Sequence, residues 1–154
     1  MTVDSNGLNL IKSFEGLRLN AYQDAAGVWT IGYGSTRYKN GAHVMPGDSL
    51  VNEACASDLL LITLGQYEDA VDEFVKVALT QNQFNALVSF TYNEGTGALH
   101  GSTLLAKLNT GDYAGAAPHF LAWDEITNPE TGQREVLGDL LSRRKKEMAL
   151  FLSA

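Results

Sequence analysis

Three polar residues early in the chain have types and spacing that suggest chemistry: Glu15, Asp24 and Thr30. Glu15 falls at the C-terminal end of an amphipathic segment, where the helix dipole disfavours negative charge, and Phe14 and Leu17 offer apolar neighbours. At such a position both features work in the direction a general acid requires, disfavouring the charged form of a carboxyl. If residues 25–27 form a hairpin turn, Asp24 lies opposite about Val28, and Thr30 follows one alternation along the same face. A carboxylate and a hydroxyl then meet with room for a water between them. One acid to protonate a leaving oxygen and one carboxylate to activate water are the minimum equipment of a glycosidase. Each residue also has a plainer role: a glutamate at a fraying helix end, an aspartate that shapes a turn, a threonine favoured in strands.

The elements that must position them are legible in outline. Residues 5–15 read as a helix with Leu8, Ile11 and Phe14 on one face, stopped by Gly16. From Leu17 to about Val44 the pattern turns to short alternating runs. A strand leads into the turn at Asp24-Ala25-Ala26-Gly27, and Val28 to Tyr33 forms a second strand. Asn40-Gly41 signals a type I′ turn feeding a third strand at Ala42 to Val44. After Met45-Pro46-Gly47-Asp48 the chain reads as helix: residues 50–72, with a break near Gly65, and a helix from the Thr80–Gln83 capping box to about Asn93. Gly95-Thr96-Gly97 ends that helix, and a shorter one runs from Ser102 through Leu108. Asp112 caps another that Pro118 must kink or restart, and a last helix covers roughly Glu135 to Leu152. The fold class is α+β. A single domain over 1–154 is expected, with a small antiparallel sheet lobe at about 16–47 and a helical lobe from 1–15 plus 48–154.

Composition narrows the function classes. The chain has 154 residues, 45% hydrophobic and 19% charged, which describes one ordinary globular domain and excludes a disordered tail. Eighteen acidic against 11 basic residues give a net charge of −7, which argues against binding through many phosphates, so no nucleic-acid partner is expected. The single cysteine, Cys55, cannot form an internal disulfide. No signal peptide and no membrane span is read from the sequence. His43, His100 and His119 lack metal-ligand spacing, and neither a metal nor any other cofactor is expected. Arg143-Arg144-Lys145-Lys146 holds four of the basic residues, and Lys145 and Lys146 read as a solvated face.

The stretch from Phe14 to Gly34, FEGLRLNAYQDAAGVWTIGYG, resembles the catalytic segment of the phage-type lysozymes, the endolysin muramidases related to T4 lysozyme. The resemblance continues through Leu79–Phe90, Ser102–Leu105, Leu108–Tyr113, Trp123 and Arg143-Arg144. It implies a lysozyme-like fold and hydrolysis of the β-1,4 bond between N-acetylmuramic acid and N-acetylglucosamine in bacterial peptidoglycan, with inversion. By the same resemblance Glu15 is the general acid, Asp24 polarises the attacking water or stabilises the oxocarbenium-like transition state, and Thr30 holds that water. Asn93 and Tyr92 fall where the family contacts substrate, and Arg143 or Arg144 falls where a family arginine approaches the acid. A monomer acting in a phage lytic cycle is expected, made in the host cytoplasm and let through the inner membrane by a holin-type pore.

Five features depart from the family pattern, the first being the acidic balance, since the peptidoglycan wall is itself anionic. Ser35 stands where His is common, Glu94 replaces an apolar residue, and Asp139 replaces a glycine. Glu125 to Glu135, with Asn128-Pro129 and Thr131-Gly132, reads as a looped insertion near the cleft. Two rival readings stay open. A non-catalytic wall-binding module of the same fold has no reason to keep Glu15, Asp24 and Thr30 together. A lytic transglycosylase has no need of a water-activating Asp24.

Overall fold

The computed structural model describes residues 1–127, 131–136 and 138–153. Helix α1 spans Ser5–Glu15, as its apolar spacing predicts, and ends at Gly16, whose φ of +65° a residue with a side chain rarely adopts. Two residues later the chain enters β1 (Arg18–Gln23), which pairs antiparallel with β2 (Trp29–Gly32). The register sets Tyr22 opposite Thr30 and Gln23 opposite Trp29, with a bulge between Tyr22 and Arg18. Three residues, Ala25-Ala26-Gly27, close the hairpin: Asp24 N–H donates to Val28 O and Gly27 N–H to Asp24 O, both at 2.9 Å. Gly27 takes the left-handed conformation, φ +82°, that completes such a three-residue loop.

The third strand expected at Ala42 to Val44 does not form. Arg37 and His43 make an isolated bridge instead, and Val44 N–H reaches Thr36 O at 2.9 Å. The Asn40-Gly41 turn is not type I′ either, because that needs positive φ at two central residues and only Gly41 has it, at +85°. Tyr38 and Ala42 flank a three-residue loop of the same kind as the first hairpin, closed by Gly41 N–H to Tyr38 O at 2.9 Å. Met45-Pro46 follows at once, and proline cannot donate to a ladder.

Helix α2 (Glu53–Phe74) runs through Gly65 without the expected break. Helix α3 (Gln81–Glu94) opens on the anticipated capping box: Thr80 Oγ1 accepts from Gln83 N–H at 3.1 Å and Gln83 Oε1 from Thr80 N–H at 2.9 Å. Gly95 ends it, but Thr96–His100 forms a further short helix, α4. Helix α5 (Thr103–Asn109) is capped by Ser102, and α6 (Tyr113–Ala116) by Asp112. Pro118 restarts the chain as a 3₁₀ segment, Ala117–Trp123. The looped insertion expected next holds a second hairpin, β3 (Glu125–Thr127) with β4 (Arg134–Val136), while Asn128-Pro129 lies outside the described residues. Glu135 therefore belongs to a strand, and the last helix, α7, covers Gly138–Leu152.

The chain divides into two compact units, Leu8–Tyr67 and Met1–Gly7 with Glu68–Ala154, so α1 and α2 each serve both. In the first, Ile31, Val44 and Leu59 form the core, with Ala21, Trp29, Tyr38 and Leu50 packed on it. In the second, α3 buries every residue from Phe84 to Thr91 and packs on α7. Phe90, Phe120 and Trp123 meet edge to face, with Phe120 on Phe151, at centroid distances of 5.4–5.7 Å. Among the described residues no helix is long and apolar enough to cross a membrane.

Candidate active site

Glu15, Asp24 and Thr30 all belong to the Leu8–Tyr67 unit. Glu15 is the last residue of α1 and half-buried, with Gly16 and Leu17 between it and β1. Asp24 is exposed at the hairpin loop, where its Oδ1 accepts from Ala26 N–H at 2.8 Å and Val28 N–H at 2.9 Å. The turn-forming role is therefore real, but it uses one oxygen: Oδ2 has no partner among the described residues. The tether also fixes the carboxylate plane, so Oδ2 is aimed by the loop rather than by a free rotamer. Thr30 is buried, 4% exposed, and its hydroxyl donates to Val28 O at 2.9 Å. With its proton committed, Oγ1 can only accept from a further partner.

Neighbouring contacts hold this hairpin still. Asn20 bridges to Ser49, and Leu50 N–H donates to Leu19 O at 2.8 Å, so β1 is flanked on its other edge as well. Tyr38 donates to Asp48 Oδ2 at 2.7 Å; burial, then the Asp48 carboxylate, push the phenol up to about 12, so it remains a donor. Lys12 and the Tyr33 hydroxyl both donate to Glu53 Oε1 at 2.9 Å, joining α1, the end of β2 and α2. Ser35, fully buried, shares a 2.8 Å hydrogen bond with Thr63 and exchanges backbone bonds with Ile31, which is a structural role.

The other sequence-derived candidates gather in the second unit. Tyr92 is half-buried and Asn93 exposed at the end of α3. Arg144 is fully buried, with its guanidinium carbon 5.1 Å from the Phe90 ring centre. It donates Nη1 to Glu94 Oε1 at 2.7 Å and Nη2 to Asn93 Oδ1 at 2.8 Å. Its Nε lies 2.6 Å from Glu147 Oε1, an ion pair without the alignment of a hydrogen bond. Arg143 approaches the other Glu147 oxygen at 3.4 Å and donates to Ser89 O at 3.3 Å, while Ser89 Oγ donates to Glu147 at 2.5 Å. Burial pushes the Glu147 carboxyl up, against the pull of Arg144, Arg143 and Ser89. Glu94 and Glu147 were not singled out as site residues from sequence. Glu94, read only as a departure, is an ionic partner of Arg144, and the signal that finds Glu147 is its i+3 and i+4 spacing from the two arginines.

Lys145 and Lys146 are exposed, and Cys55 is half-buried. Among the described residues no three His, Cys, Asp or Glu side chains gather around one metal position.

A helical protein with a small antiparallel hairpin, an acid at one helix end and a tethered carboxylate beside a threonine has the architecture of a lysozyme. The chain belongs to the phage lysozyme family, whose pattern matches residues 12–147. An endolysin of Acyrthosiphon pisum secondary endosymbiont phage 1 is 44% identical over the full length of both chains. Among solved structures, an endolysin from Escherichia coli O157:H7 phage FAHEc1 superposes with a TM-score of 0.89 at 38% identity, covering 99% of this chain and 94% of that one. The muramidase domain of SpmX from Asticaccaulis excentricus gives 0.88 at 38% identity, covering 99% of each. Membership makes the chain a peptidoglycan-hydrolysing endolysin.

Proposed function

We propose that the chain is a muramidase that hydrolyses the β-1,4 bond between N-acetylmuramic acid and N-acetylglucosamine with inversion. Glu15 protonates the leaving glycosidic oxygen. A water donates one proton to Asp24 Oδ2 and the other to Thr30 Oγ1, which turns its lone pair toward the anomeric carbon. Asp24 then takes the proton released as the new bond forms. Inversion follows because a water must fit between carboxylate and sugar, which takes roughly 6.5–9.5 Å between the two carboxyl groups. Asn93 and Tyr92 contact the glycan. The observation that carries this reading is the division of labour at Asp24, one oxygen tied to Ala26 and Val28 and the other left for chemistry. The muramidase named among the structural neighbours supports the same bond.

The chain acts as a monomer, and a holin-type pore is its partner for release from the host cytoplasm. Glu15→Gln tests the assignment: it removes the proton donor and nearly preserves shape. Wall clearing should fall by roughly 10²–10⁴-fold with an unchanged melting curve; near-normal clearing removes Glu15 from the mechanism.

A further inference from the structure

The buried arginine network bears on how Asn93 meets a ligand. Arg144 donates Nη2 to the Asn93 side chain at 2.8 Å. A guanidinium offers no acceptor, so the Asn93 atom facing it must be the carbonyl oxygen. The amide is planar, and its Nδ2 must therefore point away from Arg144 with both N–H groups. Asn93 is exposed, and Nδ2 has no partner among the described residues. Arg144 itself cannot turn: it is fully buried, gripped by Glu94 and Glu147 and stacked on Phe90. The charges of Arg143, Arg144, Glu94 and Glu147 cancel, so Asn93 sits beside a network with no net charge.

We propose that Arg144 is a positioning residue that makes Asn93 an obligate donor, and that this donor recognises the carbonyl oxygen of an N-acetyl group on the glycan. The inference rests on the reading of the chain as a glycan hydrolase. It adds the polarity of the contact and the residue that sets it. A site without net charge suits a neutral amide oxygen better than a carboxylate. The departure at Glu94 then has a use, since its carboxylate holds one arm of the arginine that aims Asn93.

The test uses the full chain on purified glycan strands, the same strands N-deacetylated, and deacetylated strands re-acetylated. For wild type, deacetylation should lower kcat/KM by about 3–10-fold through KM, the worth of one hydrogen bond, and re-acetylation should restore it. Asn93→Ala and Asn93→Asp should show the lower value on acetylated strands, with no further loss on deacetylation. In wild type the Asn93 side-chain amide should be rigid by NMR relaxation. In Arg144→Lys it should become mobile and acetyl discrimination should fall, with α3 backbone order unchanged. Because Arg144 is buried, the wild-type amide and the Asn93 variants decide the matter if that variant does not fold. Equal deacetylation penalties in wild type and Asn93→Ala, or a mobile wild-type amide, overturn the inference while leaving glycan hydrolysis intact. Discrimination that follows the lactyl carboxylate instead overturns the choice of ligand. Absence of glycan cleavage by wild type overturns the underlying reading, and this inference with it.

Discussion

Asp24 is asked to do two jobs, and two substitutions separate them. Asp24→Ala removes the acceptor for Ala26 and Val28 N–H, both held at 2.8–2.9 Å. At about 0.5–1.5 kcal/mol net per hydrogen bond, the two together are worth about 1–3 kcal/mol. For a chain of this size that is a fall in Tm of roughly 2–12 °C. Asp24→Asn keeps a carbonyl oxygen in place of Oδ1 and so keeps the loop; it should cost less than about 1 kcal/mol, the difference between a charge-assisted and a neutral acceptor. Activity should not follow stability. The amide has no basic oxygen to take a proton from water, so Asp24→Asn should lose wall hydrolysis by roughly 10²–10⁴-fold, as Asp24→Ala does. Thermal melts and turbidity clearing of the two variants, side by side, give both readouts. If Asp24→Asn cleared walls at close to the wild-type rate while Asp24→Ala did not, Asp24 would be a turn residue and nothing more.

Two further outcomes follow from the same structure. Burial raises the Glu68 carboxyl, helped by Asp69 and Asp72 and opposed by Val3 N–H at 2.7 Å and the terminal ammonium. A raised folded value means the stabilisation is fully present below 4.5 and is lost as pH rises through the folded value. Urea unfolding of Glu68→Gln across pH 4–7 should therefore show a flatter decline with rising pH than wild type; an unchanged slope removes Glu68 as its source. Early product from a β-linked substrate should appear first as the α-anomer by NMR, whereas an initial β-anomer would show retention and assign Asp24 or Thr30 a different role.

Much of this architecture is legible in the residues. The apolar spacing and Gly16 bound α1, and the Thr80–Gln83 box opens α3, because capping and periodicity are local effects. The first hairpin reads correctly because Gly27 supplies the one positive φ that its loop requires. What failed was also local, but overridden. Asn40-Gly41 carries a two-residue-turn signal, yet the chain closes a three-residue loop whose arms pair only at Arg37 and His43. Gly65 carries a breaker's propensity cost of about 1 kcal/mol, too small against the burial of Leu60, Leu64 and Val71 on the same helix. Glu135 falls at the start of the expected last helix, whereas pairing with Ile126 makes it strand, and no local pattern announces a partner nine residues away. At the site, type and spacing single out Glu15, Asp24 and Thr30 as candidates, each with a plainer role beside the chemical one, and the structure sets all three in the Leu8–Tyr67 unit. The hold of Arg144 on Asn93 spans 51 positions and needs the packing of α3 on α7 to exist.

The most direct test of the account is the chemistry of the product. Purified peptidoglycan is digested in water enriched in heavy oxygen, and the released fragments are resolved by mass spectrometry. Hydrolysis by a water held at Asp24 and Thr30 predicts new reducing ends at N-acetylmuramic acid that carry the label, and their loss with Glu15→Gln. Unlabelled 1,6-anhydro ends would mark a transglycosylase, and label confined to the peptides would mark a different bond; either result contradicts the mechanism.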